Sequence, residues 1–178
     1  MIDPRRRLFL RGRVAQAAAP QAPAAAQRPP WALAEDAFTA CCTRCHACVP
    51  ACPRQVIAVG DGGFPVMDFA RQGCDLCAGQ PACAAACEPG ALQGALPDGD
   101  GHAPWPGWHL HVSAHCLAQR RVECRACADV CEPRAIRFRP APGGIAQMHI
   151  DTAACTGCGE CVGVCPVGAA GMTKAVPS

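Results

Sequence analysis

The sequence predicts a small α+β protein built from two similar halves, and three observations lead to this prediction. First, the 178-residue chain contains 17 cysteines, a proportion typical of proteins that fold around disulfides or metal. Second, Leu, Ile, Val and Phe together make up about 17% of the residues, below the ~20% expected of a chain with an adequate apolar core. Third, the cysteines recur in groups of four along the chain. Metal bound to cysteine is therefore expected to drive folding.

The first and last groups share the spacing C-x2-C-x2-C-x3-C-P. This run holds a [4Fe–4S] cluster in bacterial ferredoxins, where the fourth cysteine of each run binds the other cluster of a pair. Structural zinc usually takes two separated ligand pairs, and a disulfide framework would imply a secreted chain. We predict iron–sulfur ligation by the first quartet, Cys42, Cys45, Cys48 and Cys52, and by the fourth quartet, Cys155, Cys158, Cys161 and Cys165.

The two middle groups have wider gaps but keep C-x3-C followed by Glu-Pro. Inserted residues leave cluster geometry intact if they bulge outward, so both groups are candidate ligands and we expect three or four clusters. The second quartet is Cys74, Cys77, Cys83 and Cys87, and the third is Cys116, Cys124, Cys127 and Cys131. For the third, a vestigial site or a zinc site assisted by His109, His111 or His115 stays open. Two of these histidines alternate in WHLHV, which favours one exposed strand face instead.

The same organisation, quartet then hairpin then quartet, occurs twice. Residues 56–69 carry two short β-branched runs around Asp-Gly-Gly, and residues 135–151 alternate before a Pro/Gly turn, so both predict hairpins. We therefore predict tandem ferredoxin-like units of the bacterial two-[4Fe–4S] type, nucleated by their clusters. The predicted organisation is a basic Ala/Pro-rich tail at 1–37, units at 38–96 and 107–178, and a Pro/Gly loop at 97–106. Nested pairing, first quartet with fourth and second with third, is the alternative topology.

Several function classes are disfavoured by composition and pattern. No apolar run approaches the ~18 residues of a membrane span, so no membrane span is expected. Lys174 is the single lysine, so nucleic-acid binding is not expected either. No catalytic constellation stands out, so we do not expect an enzyme.

The remaining cysteine, Cys41, is interpreted as a spare buried thiol rather than as a redox sensor or substitute ligand. Arginines crowd the third quartet and form either a solvated face or a surface for an acidic partner: Arg120, Arg121, Arg125, Arg134, Arg137 and Arg139.

Segments outside the quartets carry a family resemblance. RRRLFLRGR near the start, RPPWA at Arg28–Ala32, and VECRACADVCEPRAIRFRP followed by GGIAQ resemble the NapF family, the ferredoxin-type accessory proteins of the periplasmic nitrate reductase system. The resemblance covers nearly the whole chain and implies cluster ligands at the first, second and fourth quartets. It also implies a cytoplasmic protein that binds the catalytic subunit of that reductase. There it would support maturation or reduction of the subunit's own [4Fe–4S] cluster before export.

Location and role each have an alternative. Arg6 and Arg7 match a twin-arginine export pattern. The following segment, Val14–Ala26, contains no Leu, Ile or Phe, which favours cytoplasm over periplasmic export. The alternative role is a general polyferredoxin electron carrier or redox subunit. The irregular third quartet and the arginine-rich start favour the accessory role.

Overall fold

The computed structural model of the protein describes residues 26–94, 105–142, 144 and 146–175. Both helices and strands occur there, which confirms the predicted mixed class. The twin-arginine motif and most of the predicted loop at 97–106 lie outside the described residues. The elements are α1 (Glu35–Cys41), α2 (Cys48–Ala51), β1 (Ile57–Val59), β2 (Pro65–Met67), α3 (Ala82–Ala85), β3 (Trp108–Val112), α4 (Ala126–Asp129), β4 (Ile136–Arg139), β5 (Gln147–Ile150), α5 (Glu160–Gly163) and β6 (Ala170–Lys174).

Both predicted hairpins form. Strands β1 and β2 pair antiparallel with Ile57 opposite Met67, and β4 pairs with β5 with Ile136 opposite Ile150. Gly62 and Gly63 turn the first hairpin in left-handed conformations, with φ of 66° and 78°. Glycine reaches that region at no steric cost, so the Asp-Gly-Gly sequence predicts the turn for a sound physical reason.

A third strand pair joins residues far apart in the chain. Strand β3 pairs antiparallel with β6, from Trp108 opposite Lys174 to Val112 opposite Ala170. The predicted strand β3 is confirmed, with Leu110 buried and His111 exposed. Sequence reasoning missed β6, because AGMTK shows neither clear alternation nor enrichment in β-branched residues.

Each short helix carries the third cysteine of one quartet. These cysteines lie in α2, α3, α4 and α5, and the fourth cysteine follows each helix within two residues: Cys48, Cys83, Cys127 and Cys161 in the helices, and Cys52, Cys87, Cys131 and Cys165 after them. One turn of helix followed by an extended or bent chain thus turns the fourth thiol away from the first three. The hairpins lie between these helices, so each half repeats one supersecondary pattern.

The apolar core is small and partly made of cysteine. In the first half Phe38 and Val56 are almost fully buried, next to buried thiols such as Cys74. In the second half Leu110 and Ile136 form the buried centre. Aliphatic residues alone therefore supply little of the interior, as the composition predicts.

Residues 27–33, which composition assigns to the tail, pack on the first half. Gln27 is 6% exposed and its carbonyl accepts the Met67 N–H at 2.7 Å. Leu33 N–H donates to the Ala91 carbonyl at 3.1 Å. Packing on the first half thus already includes Gln27 and Leu33, which lie within the tail that composition indicates.

Candidate metal centres

The first quartet wraps its loop with left-handed residues on both sides of its second cysteine. Arg44 and His46 flank Cys45 with φ of 59° and 61°. In the fourth quartet Gly157 and Gly159 flank Cys158 in the same way, with φ of 76° and 78°. Alternation between right- and left-handed backbone curls a short segment, which lets three thiols face one space.

The first candidate centre draws on two quartets. One cavity is lined by three cysteines of the first quartet and the last cysteine of the second: Cys42, Cys45, Cys48 and Cys87. Phe38 and Leu92 close its apolar side. Cys87 arrives here because the helix α3 ends before it, and its sulfur accepts the Leu92 N–H at 3.4 Å.

The second candidate centre completes the exchange. Its cavity is lined by the first three cysteines of the second quartet and the last of the first: Cys52, Cys74, Cys77 and Cys83. The five-residue gap between Cys77 and Cys83 is taken up by a 3₁₀ turn over Leu76–Gly79 and the start of α3. The wider spacing therefore still delivers Cys83 to the same space.

The third candidate centre lies in the second half and also combines three cysteines of one quartet with the last cysteine of another. Its cavity is lined by Cys116, Cys124 and Cys127 of the third quartet and Cys165 of the fourth. Among the described residues that line this cavity there is no histidine, so the geometry gives no support to the zinc alternative with His109, His111 or His115. The seven-residue gap folds as a turn in which Arg120 N–H donates to the Cys116 carbonyl at 3.0 Å.

The fourth candidate centre surrounds Cys161, which is 8% exposed. The thiols that act on it electrostatically are Cys158 and Cys155 of its own quartet and Cys127 and Cys131 of the third. The first three centres thus each combine three thiols of one quartet with the last thiol of another. The remaining candidate ligands are Cys131, Cys155, Cys158 and Cys161.

The chemistry of these sets fits a polynuclear cluster better than a single ion. In the described part of the chain, no three His, Cys, Asp or Glu side chains converge closely enough to hold one metal ion. Thiolates that bind separate irons of a cubane need not converge on one point, and cysteine thiolate is the usual ligand of [4Fe–4S] clusters. The donor sets therefore match that cofactor.

Burial raises the pKa of five candidate ligand thiols, and the charge of neighbouring thiolates raises it further. A thiol with such a pKa stays protonated at neutral pH unless metal displaces the proton, so cluster binding releases protons here. The pKa rises to about 11 for Cys48, Cys83 and Cys127, and to about 12 for Cys74 and Cys161.

Two candidate ligands are tuned in the opposite direction. The exposed Cys45 has its pKa lowered, chiefly by the backbone N–H of Ala47. Burial would raise the pKa of Cys165, but backbone N–H groups beyond it lower the pKa overall; that of Ala169 donates to the sulfur at 3.1 Å. Hydrogen bonds of this kind to ligand sulfur are one of the levers on cluster potential.

Cys41 stands apart from the four sets. Its thiol donates to the Pro89 carbonyl at 2.9 Å. That contact satisfies the thiol within the protein, in keeping with the interpretation as a spare thiol.

The arginines around the third quartet are exposed. Arg137 and Arg139 alternate on one face of β4, while Phe138 between them lines the third cavity. Arg125 lies over the Phe138 ring at 5.6 Å and contacts the Glu123 carboxylate at 2.8 Å. The hairpin β4–β5 therefore separates the third candidate centre from a basic surface.

Comparison with known proteins matches the second half to a 4Fe-4S dicluster domain over residues 120–169. The chain is 40% identical to the ferredoxin-type protein NapF of Escherichia coli (strain K12) in an alignment of 144 residues. That alignment covers 80% of this chain and 81% of that protein. NapF of Haemophilus influenzae is 37% identical over 145 residues, covering 82% and 77%. The methylamine utilization ferredoxin-type protein MauM of Methylorubrum extorquens is 34% identical over 171 residues, covering 86% and 74%. No solved structure gives a significant match.

Proposed function

Because the chain belongs to the NapF family of ferredoxin-type iron–sulfur proteins, we propose that it is an accessory protein of periplasmic nitrate reductase. In this proposal it binds the catalytic subunit of that reductase before export. It then supports the assembly or the reduction of the subunit's own [4Fe–4S] cluster. It acts as an electron and cluster protein rather than as an enzyme.

The proposal includes four [4Fe–4S] clusters held by two tandem ferredoxin-like units. The observation that supports it is the lining of three cavities, in which Cys87, Cys52 and Cys165 each join the other quartet of the same half; the same exchange would give Cys131 to the fourth set. This exchange is the ligand pattern of two-cluster bacterial ferredoxins. Nested pairing would require the first and fourth quartets to exchange their last thiols instead.

Iron content tests the number of clusters. Fully loaded protein is expected to contain roughly 16 irons per chain at four per cubane. Replacing Cys116 by Ser removes a ligand of the third set and is expected to lower the content by up to ~4. The exposed His115→Ala variant serves as the matched control. Unchanged iron in Cys116→Ser would mean that the third set holds no cluster.

The basic surface beside the third set supports the choice of partner. Arg134, Arg137 and Arg139 are exposed on or beside β4, so the hairpin presents positive charge next to a candidate redox centre. Complementary charge raises association rates and fixes orientation more than it adds affinity. An acidic surface on the catalytic subunit is the expected counterpart.

Capture of the catalytic subunit tests the proposed role. Loaded protein is expected to retain the apo form of the subunit more strongly than the mature form. Charge reversal of Arg137 and Arg139 to Glu is expected to weaken capture, whereas reversal of the exposed Arg71 in the first half is not. Equal retention of apo and mature forms, or capture indifferent to all three changes, would contradict the proposal.

The second candidate role is a general electron carrier. The regular first and fourth quartets would serve it equally well. Protein that carries its full iron content and undergoes reversible one-electron reduction, but captures neither form of the subunit, would favour the carrier role.

We also propose that the protein acts in the cytoplasm, where the precursor of its partner is made. In the described part of the chain no helix has the length and apolarity needed to cross a bilayer. Cell fractionation tests the location, since periplasmic protein would instead favour export through the twin-arginine motif.

A further inference from the structure

The two halves touch where the second and fourth quartets approach each other. The Cys74 N–H donates to the Cys158 carbonyl at 2.9 Å. Both residues are candidate ligands, since Cys74 lines the second cavity and Cys158 belongs to the fourth quartet. A single backbone hydrogen bond therefore links two ligand residues from different halves.

Glycine makes this approach possible. A Cβ on Gly73 would lie 2.4 Å from the Glu160 nitrogen and 2.7 Å from the Cys158 carbonyl oxygen. One on Gly163 would lie 2.6 Å from the Arg71 carbonyl group. Neither glycine has a positive φ, so closeness of the two backbones, not conformational freedom, explains the residue type at both positions.

Side chains from both halves clamp this contact. The Arg54 guanidinium donates to the Gly73 carbonyl at 3.1 Å and pairs with the Glu160 carboxylate across the boundary. A Cβ on Gly159 would lie 2.2 Å from the Phe69 ring. One ring and one ion pair thus hold the same few residues together.

Gln27 and Arg28 connect the two halves on the other side of the contact. The Gln27 side-chain N–H donates to the Gly157 carbonyl at 3.0 Å, and the Trp105 indole N–H donates to the Arg28 carbonyl at 2.8 Å. Trp105 also stacks edge-on against Phe69 at 6.3 Å. The fourth-quartet loop is therefore in contact with the first half at both neighbours of Cys158, Gly157 and Gly159.

We propose that the contact between Gly73–Cys74 and Cys158–Glu160 is the junction through which electrons cross between the two halves. This inference rests on the ligand sets of the proposed function. The step moves one electron from the reduced centre at Cys74 to the oxidised centre at Cys158, or the reverse, and no bond or proton changes place. Electron exchange weakens steeply with separation, and this hydrogen bond gives the two ligand residues a short bonded path.

The junction gives the four centres a linear order. The set of Cys45 lies at one end, the sets of Cys74 and Cys158 adjoin in the middle, and the set of Cys124 lies at the other end. The exposed Arg137 and Arg139 lie on β4 beside the set of Cys124, so that end of the order presents positive charge, which suits a partner of negative surface charge.

Paramagnetic resonance of the fully loaded and fully reduced chain tests the junction. The wild-type spectrum, recorded at several frequencies, is expected to require a chain of four coupled spins. In Gly73→Ala the added Cβ separates the backbones, so the spectrum is expected to become that of two independent pairs while iron content stays the same. The matched control is Gly171→Ala, whose Cβ would meet no atom within 4 Å and whose φ is not positive.

A second variant covers the case in which Gly73→Ala does not load iron. Glu160→Gln removes the ion pair with Arg54 without adding volume, and it is expected to weaken the coupling between the halves alone. Loaded variants with the wild-type spectrum would overturn the junction, and so would wild-type protein whose spectrum is already two independent pairs. Loaded protein that fails to capture the catalytic subunit would instead refute the proposed function and leave this measurement intact.

Discussion

At the scale of single residues, the spacing of the candidate ligands determines the backbone conformation of the residues between them. Neighbours that are distant in the sequence determine which residue types fit there. The residues beside Cys45 and those beside Cys158 share positive φ, yet the first pair is Arg and His and the second pair is Gly and Gly. A non-glycine residue there costs ~1–2 kcal/mol, which the first quartet tolerates. Glycine at 159 is required because the Phe69 ring occupies the space of a Cβ.

Gly159→Ala is expected to speed the loss of cluster absorbance in denaturant. The added methyl forces overpacking against Phe69, at a cost of typically ~1–3 kcal/mol. Gly168→Ala is the control, since Gly168 also has positive φ but would place its Cβ in open space, so both variants carry similar backbone strain. Equal rates of cluster loss in the two variants would mean that the Phe69 contact contributes nothing.

Cys87 and Cys41 offer a second test at this scale. Cys87→Ser removes the exchanged thiol of the first set and is expected to lower iron content by up to ~4 per chain. Cys41→Ser keeps a donor for the Pro89 carbonyl and is expected to leave iron content unchanged. An iron loss confined to Cys41→Ser would show that the assignment of the two thiols is reversed.

At the scale of elements, the hairpins and the β3–β6 pair brace the cysteine loops. Strand β3 precedes the third quartet and β6 follows the fourth, so their pairing closes the second half. In the part of the first half that the structure describes, the corresponding place is taken by an isolated bridge between Ala32 and Leu92. Leu110 is 2% exposed at the centre of β3 and packs in the core of the second half.

Leu110→Ala is expected to destabilise the second half by ~2–5 kcal/mol, because it leaves a cavity in a small core. The measurement is the rate of cluster loss in urea, resolved by paramagnetic resonance into the two halves. His111→Ala, at the next and exposed position of the same strand, is expected to change little. A faster loss from the first half alone would contradict this placement of Leu110.

At the scale of the whole molecule, candidate ligand thiols occupy much of the interior. Cys48, Cys52, Cys74, Cys83 and Cys161 are all buried, and burial together with neighbouring thiols raises the pKa of four of them. Without metal, these polar groups contribute little to folding, whereas ligand bonds to a cluster supply folding free energy directly.

Protein stripped of iron under anaerobic conditions is therefore expected to lose most of its circular dichroism and to melt without a cooperative transition. Reconstitution with iron and sulfide is expected to restore both. The control is the loaded protein carried through the same buffers without chelator. A cooperative thermal transition in iron-free protein would show that the apolar core suffices.

The sequence by itself determined the local features. Cysteine spacing grouped the candidate ligands into quartets, Asp-Gly-Gly and the Pro/Gly turn predicted both hairpins, and the motifs beyond the quartets indicated the family that the comparisons confirm. These features depend on residues close together in the chain, where spacing and backbone preference are sufficient.

Only the tertiary structure decided which distant residues meet. It brings Cys52, Cys87 and Cys165 into cavities lined by the other quartet of the same half, pairs β6 with β3, and sets Gly73 against Glu160. The sequence near Gly73 and in β6 has no periodicity or turn signature from which these contacts could be predicted. The residue types at these positions depend on atoms that lie far away in the sequence, and that dependence exists only once the chain is folded.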